Sequence, residues 1–122
     1  MQNEGRKIMH LPELRVNCTC VRVPTMRSHS ESITVEFEQP LSPDEARAIL
    51  EEAPGVKVVD NPAELQYPMP LDTSDQDLIY VGRIREDLSA DKDTHALTFF
   101  CCGDQIRKGA ATNAVQIAEY LL

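Results

Sequence analysis

Tryptophan is absent from the 122 residues, and aromatic residues together make up only 5%. No apolar run approaches the roughly 20 residues needed to cross a bilayer, and no apolar segment near Met1 has the form of a secretory signal. A soluble, cytoplasmic protein without a membrane partner is therefore expected. Basic side chains are outnumbered 12 to 20, for a net charge of −8, so a phosphate backbone finds no overall electrostatic support and nucleic acid is not expected as a partner. Glycine (5) and proline (8) are too few for a fibrous or low-complexity chain, and 42% hydrophobic with 26% charged residues is a globular mixture. The length fits a single domain over residues 1–122, and no internal repeat is visible.

Four cysteines are present, as Cys18-Thr19-Cys20 and Cys101-Cys102. Zinc sites usually separate paired ligands by two or more residues, and strand alternation sends Cys101 and Cys102 to opposite faces, so no metal site is expected. Disulfides do not suit a reducing compartment. All four are expected to act as small apolar packing residues.

Asn3 to Met9 reads as the tail of a helix that Leu11-Pro12 breaks. Val16 to Val23 alternates like a strand with one buried face, ended by Pro24. Ile33, Val35 and Phe37 alternate with Thr34, Glu36 and Glu38 in a second strand. Ser42-Pro43-Asp44-Glu45 combines an N-cap serine, a first-turn proline and a glutamate three residues after the cap, which starts a helix striped by Ala46, Ile49 and Leu50. Ala53-Pro54-Gly55 stops it before a short strand at Val56, Val58 and Val59. Asn61 to Asp77, with three prolines, reads as a long loop rather than an element. Leu78 to Ile84, with Arg83 and Arg85 on one face, and His95 to Cys102 read as strands joined by a polar hairpin at Asp87 to Thr94. Ile106, Ala110, Ala114, Ile117 and Leu121 mark a final helix. Strands early and late with helices between and after place the chain in the α+β class, with a mixed, mostly antiparallel sheet and helices packed on one face.

The densest polar cluster is Arg22, Arg27, His29 and Glu31. Imidazole is the side chain that changes charge near neutrality, so His29 suits general acid–base work, and Arg22 offers a rigid fork for a carboxylate or phosphate. A solvated surface turn is the plainer alternative. His10 and His95 have no evident partner and read as structural or exposed. Gly103-Asp104-Gln105 opens a helix and resembles an anion- or cofactor-facing terminus, although Asp104 as a simple cap explains it equally. No complete dinucleotide or Walker fingerprint occurs.

The order of five segments is more specific than any one of them. Arg-Lys-Ile-Met at 6–9, Cys-Val-Arg-Val-Pro at 20–24, His-Ser-Glu-Ser at 29–32, Val-Gly-Arg-Ile-Arg-Glu-Asp-Leu at 81–88 and Lys-Gly-Ala-Ala-Thr-Asn-Ala-Val-Gln-Ile-Ala-Glu at 108–119 together resemble the C-terminal part of aspartate-semialdehyde dehydrogenase. The resemblance implies a glyceraldehyde-3-phosphate-dehydrogenase-like C-terminal domain that dimerises or assembles further. It also implies reduction of L-aspartyl-4-phosphate with NADPH to aspartate semialdehyde, in amino-acid biosynthesis, through a thioester on a cysteine in the first half of the enzyme. It assigns Arg22 to the substrate carboxylate, His29 to acid–base duty and Gln105 to NADP contact.

Departures from the family pattern narrow these expectations. The nucleotide fingerprint and the nucleophilic cysteine of the family are not among these residues, so the chain alone is expected to be inactive. Glu4 and Lys7 mimic the spacing of the family's anion-binding pair in the wrong register and carry no such role. A non-catalytic dimerisation module or a decayed paralogue is the alternative. Apolar area around Ala110, Ala114 and Leu121-Leu122 is expected to be exposed and to promote association.

Overall fold

The computed structural model describes residues 2–91 and 93–122. Four strands form one mixed sheet: β1 (His29–Phe37), β2 (Val56–Val58), β3 (Ile79–Glu86) and β4 (His95–Gly103), in the spatial order β1-β4-β3-β2. The pairs β1–β4 and β3–β4 are antiparallel, and β2–β3 is parallel. The α+β class with a mostly antiparallel mixed sheet is thus what the chain adopts. The β3–β4 hairpin lies between the two strands that the first crossover connects. Its turn spans Asp87 to Thr94, of which Lys92 lies outside the described residues.

Alternation in β1 turns Ile33, Val35 and Phe37 inward, while Thr34 on the other face meets Thr98 of β4 at 3.1 Å, hydroxyl to hydroxyl. The core is small: Ala46, Val81, Ile84 and Leu97 at its centre, with Phe37, Leu50, Ile79 and Phe99 packed around them. Helix α2 (Pro43–Glu52) closes one side. Its capping box is complete, since the Glu45 amide donates to Ser42 Oγ (3.2 Å) and the Ser42 amide donates to the Glu45 carboxylate (2.9 Å). Such a cap is worth about 1 kcal/mol. Ile49, expected in the buried stripe, faces solvent, because α2 touches the sheet only along the line of Ala46 and Leu50.

Alternation fails in β3, where the register shifts between Gly82 and Arg85. Arg83 sits at φ +57°, and its amide and that of Ile84 donate to Asp60 (2.7 and 3.2 Å), whose charge is met by Arg47 Nε at 2.8 Å. The bulge interrupts the ladder, yet Arg83 and Arg85 are both exposed with Ile84 buried between them. A Cβ at Gly82 would stand 2.1 Å from the Val59 carbonyl oxygen, so only glycine lets the chain just after β2 approach here. The proline-rich stretch 61–77 is not featureless: it contains a 3-10 turn (Pro62–Glu64) and a one-turn helix, α3 (Pro70–Thr73). Each starts on a proline, whose missing N–H costs nothing in a first turn.

Outside the sheet the pattern changes. Helix α1 (Gln2–Ile8) leads into residues 11–26, where the expected strand at Val16 to Val23 does not form. The segment is open chain that joins no β-ladder among the described residues, and Val21 is 73% and Met26 95% exposed. Cys18 and Cys20 are exposed with it rather than buried as expected, whereas Cys102 is buried and Cys101 half-buried. After a π-helical turn (Arg107–Ala111), helix α4 (Thr112–Tyr120) leaves Ala114, Ile117 and Leu121 open and Tyr120 92% exposed. The accessible surface is 9610 Å², against about 6600 Å² for a compact monomer of 13.7 kDa.

Candidate functional site

Strand β1 begins at His29, and its register sets the imidazole opposite Gly103 and Glu31 opposite Cys101. Residues two apart on a strand share a face, which brings His29 Nε2 to 3.2 Å from a Glu31 carboxylate oxygen. A carboxylate so placed orients an imidazole. The ring is 66% exposed and opens into a cleft of about 380 Å³ lined also by Ile79, Cys102, Asp104, Gln105 and Gly109. At Gly103 a Cβ would stand 2.2 Å from Ile79 Cδ1, so a larger residue there would have to push the Ile79 side chain aside.

Gln105 lies on the same cleft. Its side-chain oxygen accepts the Ser28 amide at 2.7 Å, and its amide nitrogen has no partner among the described residues. His29 and Gln105 are therefore brought together. Arg22 is not joined to them: it lies in the open segment, exposed, and does not line this cleft.

Asp104 caps the following turn, as one reading of the sequence has it, by accepting from the amides of Ile106 (2.8 Å) and Arg107 (3.1 Å). It does more than cap. Although Asp104 is only 1% exposed, it also accepts from the Asp75 amide (2.7 Å) and pairs with the Arg27 guanidinium, which reaches Asp75 as well (2.9 Å). Burial alone would raise its pKa, but the three amides and the guanidinium outweigh it and hold the carboxyl well below the usual range. Arg27, in sequence one charge of a polar cluster, is thus a structural cation. The partner in the loop, Asp75, carries no sequence signal that would have singled it out.

The thiols near His29 are poor nucleophiles. Burial, with the Glu31 charge and Cys102 adding to it, pushes Cys101 up to about 11. Burial also raises Cys102. Both stay protonated at neutral pH. Among the described residues no group of three or more His, Cys, Asp or Glu side chains converges as metal ligands would, and no helix is long and apolar enough to cross a membrane. A second cleft, about 310 Å³, lies beside the β3 bulge, where the Arg83 guanidinium stands 5.6 Å from the centre of the Tyr67 ring.

Comparison with known proteins adds an independent line. The family profile described as semialdehyde dehydrogenase, dimerisation domain, matches residues 1–108. An aspartate-semialdehyde dehydrogenase of Prochlorococcus marinus is 54% identical over 122 residues, covering 100% of this chain and 35% of the relative, and that of Aquifex aeolicus is 51% identical with the same coverage. The crystal structure of aspartate semialdehyde dehydrogenase II from Vibrio cholerae, complexed with ASA, superposes with a TM-score of 0.90 at 37% identity, over 99% of this chain and 34% of that one. The chain matches the C-terminal part of such enzymes and spans about a third of their length.

Proposed function

The chain belongs to the semialdehyde dehydrogenase dimerisation-domain family, and from that premise we propose that it is the substrate-side, subunit-joining domain, residues 1–122, of a cytoplasmic NADP-dependent aspartate-semialdehyde dehydrogenase. The reaction joins L-aspartyl-4-phosphate, NADPH and a proton to give aspartate semialdehyde, phosphate and NADP. In this reading His29 takes the proton of an incoming thiol and handles the proton on the substrate oxygen, with Glu31 orienting the ring. Arg22 clamps the substrate carboxylate through its planar fork. It needs a bound substrate, or the domain that packs here, to bring it in.

NADP supplies the hydride when bound. The residues present fit one edge of it rather than a complete site: the free amide nitrogen of Gln105 can donate to the cofactor, and no glycine-rich phosphate cradle accompanies it. The single observation that carries the proposal is a cleft holding an oriented imidazole and a donor amide beside thiols kept protonated by burial. A site so arranged calls for a thiolate from elsewhere.

The experiment joins residues 1–122 to the N-terminal two thirds of the Prochlorococcus marinus relative. The fusion is expected to reduce NADP with aspartate semialdehyde and phosphate, the 122-residue chain alone is not, and His29→Asn in the fusion is expected to cut kcat about 100-fold or more. Activity of the isolated chain would overturn the proposal. One observation supports self-association as well: about 3000 Å² of surface beyond that of a compact monomer, with Val21, Met26, Tyr120 and Leu121 exposed. Sedimentation at micromolar concentration is expected to show a dimer or larger species.

A further inference from the structure

An edge strand with no neighbour on its outer side does not by itself fix the direction of its first side chain. His29 opens such a strand, and residues 11–26 before it join no β-ladder among the described residues. The two residues between are nevertheless among the most firmly tied in the chain. Ser28 is buried in a left-handed conformation at φ +73°, which is unfavourable for a residue with a Cβ. Its amide is held by the Gln105 side chain (2.7 Å) and its hydroxyl accepts from the hydroxyl of Thr73 (2.8 Å), which is fully buried. Arg27 is held by Asp104 and Asp75.

These contacts bind three distant segments, 27–28, 73–75 and 104–107, to one point immediately before the imidazole. Burying an ion pair is an inefficient route to stability, and here it leaves the Arg27 Nε hydrogen without an acceptor among the described residues. What the arrangement does achieve is a strained turn with a single exit direction for residue 29. We infer that Arg27, Asp104 and Thr73 are positioning residues: by locking the Ser28 turn onto Gln105 they aim the His29 ring into the cleft and set its separation from the Gln105 amide. The inference rests on the role of His29 proposed above.

The test begins on the 122-residue chain and needs no activity. In its nuclear magnetic resonance spectrum, the couplings of the His29 Cβ hydrogens are expected to report one side-chain rotamer, and the Ser28 amide to exchange slowly. Arg27→Met and Thr73→Val are each expected to average the His29 couplings and speed Ser28 exchange about tenfold or more, with the Val81 and Leu97 amides unchanged and Arg27→Lys restoring most of the order. A His29 rotamer that stays fixed in both variants overturns the inference, as does equal loss of protection at Leu97, which would mark general destabilisation. In the active fusion, Arg27→Met is expected to lower kcat about tenfold or more with KM within twofold. Unchanged kcat with a loosened ring also overturns the positioning role. If the unsubstituted fusion is inactive, the proposed function fails, and the resonance measurements still decide whether the turn aims the ring.

Discussion

The sheet and the open segment at residues 11–26 carry the same kind of sequence and behave oppositely. Both Val16 to Val23 and Ile33 to Phe37 alternate apolar with polar residues, yet only the second becomes a strand. The difference is hydrogen-bonding opportunity. Strand β1 pairs along nine residues with β4, whereas the earlier segment finds no edge, although Arg15 touches Glu36 at 3.1 Å. Alternation therefore states which face is apolar, and the presence of a partner decides whether that face is covered. The same holds at the other end, where α2 buries Ala46 against the sheet while α4 leaves Ile117 and Leu121 in solvent.

The largest effect that sharpens this contrast lies in the covered half. Leu97→Ala is expected to cost about 2–5 kcal/mol by urea denaturation, since Leu97 is 2% exposed at the core's centre. Next comes acid. The Asp104 carboxyl is held below its value in the unfolded chain, so its contribution is present above the unfolded pKa of about 3.9 and is lost as pH falls below it. Thermal unfolding scans are expected to show a fall in Tm below about pH 4 that is flatter in Asp104→Asn. Ser42→Ala removes the cap acceptor of α2 and should lower stability by about 1 kcal/mol. Smallest of all, Val21→Ser and Ile117→Ser should leave unfolding within about 0.5 kcal/mol while weakening association in sedimentation runs. A loss at Val21 as large as that at Leu97 would break the comparison.

The range of the forces involved decides how much was legible in sequence. The capping box at Ser42 and Glu45, the alternation of β1, the hairpin and the stop at Gly55 are local, and the structure reproduces them. The β3 bulge depends on Asp60, more than 20 residues from Arg83, and no local pattern announces it. The same is true of the Arg27–Asp104 pair, whose members are 77 residues apart. His29 and Gln105 share a cleft because β1 pairs with β4, a long-range event that resemblance anticipated and periodicity did not. The apolar pattern at Cys18 and Cys20 predicts burial, but burial needs a covering surface, and both thiols are exposed.

The strand order bears on how the chain is made. The two outer strands, β1 and β2, come from the first half of the sequence, and the two inner strands, β3 and β4, from the second. As the polypeptide leaves the ribosome, β2 has nothing to bond to until β3 (residues 79–86) has emerged, and β1 has nothing until β4 (residues 95–103) has. The sheet must then close from the middle outward, with the late hairpin inserting between early strands that have waited exposed. Nascent chains halted before β4 has emerged should be protease-sensitive and dependent on chaperones, and those halted after it should become resistant in a single step.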